Sequence, residues 1–346
     1  MKINITIPYK DSLKKSTYHA FDHTRGNGIE DITFNFNMDT DLTSPSTFWR
    51  AHTKNKTTYS LNTKENGKNV QGDELVARLW AKNLLEDERV VCADINGKDK
   101  YDVTISFNPL IHEPNSGFKV LYMQNIFPKP NWTGTVEMFQ ESSSRYDGFV
   151  FPSQGLKDLC GEDGLVCQFA TDLDIFSPRE YNQALDFNLC FVGNKIRDET
   201  TTERYMMCAK EKGLVIFGNR FGWQNEYCRG KISIEDESVL YSSSKICLNS
   251  HVGEHLQNGT FNFRIFNVLA CGGFIISDHS KHLEDEFGDC MVFTSGYQDL
   301  AEKVDYYLNN PDETLKYREA GLKKVREKHT FKHRMDDLFN WLEGKI

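Results

Sequence analysis

The stretch from Lys245 to Asp278 reads KICLNSHVGEHLQNGTFNFRIFNVLACGGFIISD, and it decides the fold. Short apolar runs at its two ends have the length of buried strands, and the middle carries a helix, so the order is strand, loop, helix, strand. Arg264 falls near the start of that helix, where the positive helix end and a planar guanidinium together suit a diphosphate. Asn249, His251, Asn262 and Asn267 are further polar candidates for the same ligand.

The alternation continues on both sides of this stretch. Leu189 to Val192, Leu214 to Phe217, Ile246 to Asn249, Gly273 to Ser277 and Met291 to Phe293 read as strands separated by helices, which makes one α/β domain. Phe191-Val192-Gly193-Asn194 is a strand ending in a glycine turn, followed by the cations Lys195 and Arg197; such a turn brings backbone amides to a phosphate. Taken alone, a glycine after a strand is more often a simple tight turn. Residues 216–223, IFGNRFGW, repeat the arrangement with Gly218 and Trp223, whose ring could stack on a base or fill the core.

Towards the N-terminus, Lys2 to Ile7, Thr57 to Leu61, Arg89 to Ala93, Asp102 to Phe107, Lys119 to Met123 and Gly148 to Phe151 read as strands, and Leu75, Leu79, Trp80 and Leu84 mark one face of a helix. Residues 1–56 otherwise lack a period and read as an irregular extension. Thr171 to Pro178 and the polar residues after it read as a linker. The expected organisation is therefore an N-terminal Rossmann-like domain over 1–185, a second over 186–330, and a helix over 331–346 whose Met335, Leu338, Phe339 and Leu342 pack back on the first. Two such halves facing one another form a cleft at their strand C-termini. Polar residues of the first half that lie there are Asp73, Glu74, His112, Gln124 and Asn125, with His112 the candidate base.

Composition narrows the classes. The chain has 346 residues, with 39% apolar, 12% aromatic and 26% charged, which fits two folded domains and excludes disorder. Forty-one Lys and Arg against fifty Asp and Glu leave a net charge of -9, so no global basic field attracts nucleic acid or an anionic membrane. Nine cysteines without a CxxC pair fit a reducing compartment. With no signal-like or membrane-spanning apolar run, a cytoplasmic protein with at most peripheral membrane contact is expected. His251 and His255, and His329 and His333, have i, i+4 spacing, yet neither pair has a third ligand nearby, so no bound metal is expected. A nicotinamide-dependent oxidoreductase lacks its GxGxxG fingerprint.

As an ordered set, FVGN at 191–194, the FGNRFGW turn, KICLNSH at 245–251, RIFNVLACGG at 264–273 and a tail with Tyr306-Tyr307-Leu308, Pro311 and His329-Thr330-Phe331 resemble GT-B glycosyltransferases of the CgeB-like, group 1 kind. The resemblance covers about residues 147 to 340. It implies transfer of a sugar from a nucleotide-diphosphate sugar, a co-substrate held by the second domain, to an acceptor hydroxyl held by the first, in glycan or glycoconjugate synthesis. It also implies that no tightly bound cofactor or metal is needed, with Arg264, Lys195 and Arg197 stabilising the departing diphosphate. The resemblance breaks where retaining relatives carry two glutamates, here Gly259 and Asn267. A degenerate, non-catalytic sugar-binding module and a transferase acting on modified nucleic-acid bases are the alternatives, the latter disfavoured by the charge.

Overall fold

The computed structural model describes residues 1–6, 49–52, 64–65, 68–69, 73–95, 100–107, 117–124, 135–193, 205–218, 223 and 227–346. The described chain divides into two compact units, one running up to Gln168 and resuming with Arg334–Ile346, the other spanning Phe169–His333. Both are α/β, as the alternating pattern predicts.

The first unit is built on a seven-stranded sheet. Its strands are β1 (Lys2–Thr6), β2 (Trp49–His52), β5 (Cys92–Ile95), β6 (Val103–Ser106), β7 (Phe118–Tyr122), β8 (Gly148–Phe151) and β9 (Leu165–Val166), while β3 (Lys64–Glu65) and β4 (Lys68–Asn69) form a separate hairpin. The spatial order is β2-β5-β1-β6-β7-β8-β9, parallel throughout except for the antiparallel edge strand β2. Ile3, Ile5, Val103 and Ile105 are fully buried, as central strands covered on both faces require. Helix α1 (Asp73–Leu84) packs on β5 and buries Val76, Leu79, Trp80 and Leu84. Helices α2 (Val136–Ser143) and α3 (Gln154–Cys160) each start on a hydroxyl that accepts from a backbone N–H, Thr135 from Met138 and Ser153 from Leu156. The expected strand at Thr57 to Leu61 lies outside the described residues. The expected strand at Arg89 to Ala93 begins instead at Cys92, because residues 87–90 form a turn in which Val90 N–H bonds to Asp87 O and the Arg89 side chain bonds to Asp87.

The second unit carries a five-stranded parallel sheet: β10 (Leu189–Val192), β11 (Leu214–Phe217), β12 (Ile246–Asn249), β13 (Ile275–Asp278) and β14 (Val292–Thr294), ordered β11-β10-β12-β13-β14. The order in which strands are added reverses between β10 and β12, and outside the carboxyl ends of such a pair an open α/β sheet takes its ligands. Helices α4 (Ile234–Ser243), α5 (Gly253–Gln257), α6 (Phe263–Ala270), α7 (Lys281–Phe287), α8 (Tyr297–Asn309) and α9 (Leu315–Lys328) complete the unit. From Ile265 to Ala270 every residue of α6 is buried, since it packs on the sheet and on both α4 and α9. It ends at Gly272, whose φ of +67° is the left-handed turn that glycine adopts without a Cβ penalty.

Arg318 on α9 ties this packing together. Its guanidinium donates to Gly272 O, Ser244 O and Lys245 O, thereby satisfying carbonyls at the ends of α6 and α4. Among the described residues no carboxylate meets it, so its work is structural. Arg318→Met is expected to lower stability by about 2–4 kcal/mol, because charge-assisted bonds to partly buried carbonyls are lost together. Urea unfolding followed by circular dichroism checks this, and a midpoint within error of wild type would show that water replaces the guanidinium.

The residues read as an interdomain linker belong to the second compact unit. Thr171 bridges Thr330 through Thr171 N–H to His329 O and Phe331 N–H to Thr171 O, while Asp172 and Phe176 are buried. The two compact units divide at 168/169. Helix α10 (Phe331–Glu343) starts in the second unit, and its later residues belong to the first. There Trp341 lies against Gly148 and Phe118, and Arg89 stacks over Phe339 at 4.4 Å.

Candidate donor site at the switch point of the second sheet

The carboxyl ends of β10 and β12 are joined by one side chain. Arg264, on the first turn of α6, donates from Nε to Val192 O at 2.6 Å and from a terminal nitrogen to Asn249 Oδ1 at 2.6 Å. Its guanidinium also lies over the Phe191 ring, 4.1 Å from the centroid. Arg264 thus spans the two strands between which the sheet order reverses. Among the described residues it has no carboxylate within ion-pair distance. Burial pulls its pKa below the ordinary arginine value, opposed by the nearby Tyr241, Glu237 and Asp278. The remaining N–H groups of this cation can therefore serve an anionic ligand.

Two glycines make room for this arrangement. A Cβ on Gly193 would sit 2.4 Å from a terminal nitrogen of Arg264, and a Cβ on Gly218 would sit 2.2 Å from Gly193 O. Trp223 is 5% exposed, meets Phe191 edge to face and donates from Nε1 to Gly193 O at 3.1 Å. Of the two readings open for Trp223, the structure supports the core one: the indole braces the glycine turn and presents no free face to a base.

From Arg264 a directed hydrogen-bond chain leads to His251. Asn249 turns its oxygen to Arg264 and donates from Nδ2 to Ser277 Oγ at 2.9 Å, and Ser277 donates to Asp278 Oδ1 at 2.9 Å. Asp278 also accepts from the His251 backbone N–H at 2.6 Å and from Nδ1 at 2.7 Å. Burial pushes the Asp278 carboxyl up, but His251 and the three hydrogen bonds outweigh it and hold its pKa below the usual carboxylate range. An ionised carboxylate only accepts, so Nδ1 carries the proton. The 3.5 Å approach of Asn249 Nδ2 to the same nitrogen is too long to compete.

The other expected site residues divide clearly. Asn262 precedes α6 and donates from Nδ2 to Ser250 O at 3.1 Å. Asn267 does not join the site: Thr171 donates to its Oδ1 at 2.8 Å, on the buried side of α6. Gly259, the other position where retaining relatives carry glutamate, has φ +71° and lies against the His282 ring. Lys195, Arg197 and Asn194 lie outside the described residues, as do His112 and Asn125. In the first unit, Asp73 and Glu74 are the first two residues of α1, and Gln124 is buried just beyond β7. His329 faces Glu286 at 3.0 Å, an arrangement within the fold of the second unit.

Three site residues escaped the sequence reading. Ser277 and Asp278 end β13, and the signal was available: two polar residues closing an apolar strand at a sheet's carboxyl edge. Glu237, which accepts from Tyr241 Oη at 2.6 Å and lies near Arg264, had no such signal, since one acidic residue in the run IEDES looks like any solvated helix start.

Residues 200–340 match the model of the glycosyl transferase-like family. Over 101 residues the chain is 29% identical to the spore protein CgeB of Bacillus subtilis (strain 168), a match covering 26% of this chain and 31% of that protein. The sucrose-phosphate synthase from Thermosynechococcus elongatus superposes with a TM-score of 0.56 at 14% identity, over 82% of both chains. The chain has the GT-B fold and over part of its length is similar to the spore protein CgeB. Anabaena HepE, solved in complex with UDP-glucose, shares this GT-B fold with a TM-score of 0.54 at 10% identity, over 79% of this chain and 84% of that one. The family match spans Gly218, Trp223, Asn249, His251, Asn262, Arg264 and Asp278, whereas β10 and Gly193 lie ahead of it. Among the described residues no group of three or more His, Cys, Asp and Glu is placed to hold a metal ion, and no helix is long and apolar enough to cross a membrane.

Proposed function

We propose that this protein transfers a sugar from a nucleotide-diphosphate sugar to an acceptor hydroxyl in glycan or glycoconjugate synthesis, with the donor held by the second unit. The observation that carries the reading is Arg264, a partly buried cation that meets no carboxylate among the described residues, fixed across the switch point of a parallel sheet. The diphosphate takes the guanidinium's free N–H groups, and the charge that develops on it as the sugar leaves is met there without reorganisation. Lys195 and Arg197, which follow the same strand, add positive charge. Asn249 holds Arg264 in place, and the Gly193 and Gly218 backbone keeps the approach open. Acceptor groups belong to the first unit, where His112, Asp73, Glu74, Gln124 and Asn125 are the candidates.

Mechanistically, the sugar C1–O bond breaks towards the diphosphate and a bond forms to the acceptor oxygen, whose proton passes to a base. Neither Gly259 nor Asn267 supplies a carboxylate, so a retaining mechanism through those positions has no support in this chain. That same feature favours a second reading, a module that binds the donor without turning it over.

Calorimetric titration with UDP, GDP, ADP and their common hexose conjugates, with and without magnesium, tests the binding step. Saturable binding of one nucleoside diphosphate is expected. Release of free nucleotide from its sugar conjugate on adding acceptor then separates transferase from binding module, and absence of binding to every nucleotide would sink both.

A further inference from the structure

Near Arg264 stands a carboxylate that the hydrogen-bond chain to His251 does not use. Glu237 lies on the first turn of α4, the helix that packs on α6, and accepts from Tyr241 Oη at 2.6 Å. Tyr241 is 1% exposed, so this bond is made inside the fold. Its neighbours Glu235 and Asp236 on the same turn are exposed. Glu237 and Arg264 each feel the other's charge, yet among the described residues no bond joins them, because the guanidinium is turned to Val192 O and Asn249 Oδ1.

A ligand on Arg264 changes the balance of this pair. Burial pushes the Glu237 carboxyl up, while the Tyr241 hydroxyl and the Arg264 charge draw it back. The other groups around the pair are Cys271 at the end of α6 and Cys190 on β10, with Asp278 on β13 and its partner His251 beyond the arginine. Burial keeps the Tyr241 hydroxyl and the Cys271 thiol protonated, the thiol being pushed up to about 12. Arg264 is the cation that favours the charged form of Glu237. A diphosphate on the guanidinium brings negative charge that offsets this cation and repels the carboxylate, and in a partly buried setting water screens neither effect fully. The carboxylate relieves the repulsion by taking a proton from solvent.

We infer that Glu237 is the counter-charge of Arg264 in the free protein and takes up a proton when a diphosphate binds to the arginine. The inference rests on the donor-binding reading and adds a proton-linked step to it. Glu237 is then a positioning residue, since it acts through the charge of Arg264. The sign follows from linkage: the bound protein holds more protons than the free one, so affinity rises as pH falls through the range in which the carboxyl titrates. With a tenfold difference in proton affinity between the two states, uptake peaks at about half a proton, and ligand affinity changes about tenfold across that range.

Calorimetry of the full chain in two buffers of different ionisation heat counts the proton, at steps of pH from about 5 to about 8. The probe is the glucose conjugate of UDP or ADP, or the mannose conjugate of GDP, whichever nucleotide binds. A conjugate is used because its phosphates do not titrate in this range, whereas the last ionisation of a bare diphosphate falls near pH 6, about where a phosphate monoester titrates. Wild type is expected to take up about half a proton at the peak. Glu237→Gln keeps an acceptor for Tyr241 Oη and cannot titrate, so the uptake should vanish and affinity at about pH 8 should rise by up to about tenfold, to the level wild type reaches at low pH. A merely structural Glu237 would give the reverse, weaker affinity with the proton count intact. Tyr241→Phe serves if that variant does not fold: it removes the hydroxyl that stabilises the carboxylate, and the uptake should move to higher pH. Binding to wild type without proton uptake overturns the inference and leaves donor binding intact. So does uptake unchanged in Glu237→Gln, which would place the proton on His251 and Asp278. Failure of every nucleotide and conjugate to bind would instead remove the reading beneath it, and the inference with it.

Discussion

Arg264→Ala is expected to weaken binding of the nucleoside diphosphate roughly a hundredfold, the loss of about two charge-assisted hydrogen bonds. The side chain is held by Val192 O, Asn249 Oδ1 and the Phe191 ring, so its charge is preorganised and little entropy is spent on binding. Arg264→Lys keeps a positive charge but cannot span both strands or stack flat, and it should restore only part of the affinity. Removing the guanidinium also strips a partner from Val192 O, so the melting temperature has to be followed alongside the calorimetry. A cooperative transition with affinity within twofold of wild type would make Arg264 a strut between β10 and β12, and the donor would then have to be held by other groups.

The second large effect is on folding. Gly218→Ala would place a methyl 2.2 Å from Gly193 O, a backbone atom of the adjacent strand's turn that no side-chain rotation can move aside. Gly193 N–H bonds to Phe217 O at 2.8 Å, so relief requires spreading β10 from β11 just where Trp223 and Arg264 are anchored. A cost of about 3 kcal/mol is expected, or about 6–12 °C in melting temperature for a unit of this size. Gly253→Ala is the matched control, because an added Cβ there has nothing within 4 Å. Differential scanning fluorimetry of both variants decides it, and equal melting temperatures would show that the sheet edge yields cheaply.

Much of this architecture is readable from residue pattern. Gly148–Phe151, Leu189–Val192, Leu214–Phe217 and Ile246–Asn249 are uninterrupted apolar runs with polar or glycine ends, and each is a strand with those bounds. Ends slip where local side-chain bonds intervene, as at Asp87 and Arg89. Leu165–Val166 is too short to show a period, and its edge position is set by pairing with β8. Within the site, Arg264 was legible because a cation near a helix start after a strand has a physical reason to be there. The neighbours of Asn267 and Trp223 were not, since a polar or aromatic residue on an element carries no mark of which side it will face. That Thr171, 96 positions away, takes Asn267 is a property of the folded chain.

The first unit is discontinuous: its helix Arg334–Ile346 is made only after all of Phe169–His333. Leu338, Phe339 and Leu342 are buried, and Trp341 fills the space above Gly148, so the nascent N-terminal half leaves the ribosome with part of its apolar surface uncovered. The C-terminal half has no such debt and can fold as soon as it emerges. The earlier-made unit is therefore completed only after the later-made one has been synthesised. A chain cut after His333 would keep the residues of the second unit and leave apolar surface of the first uncovered.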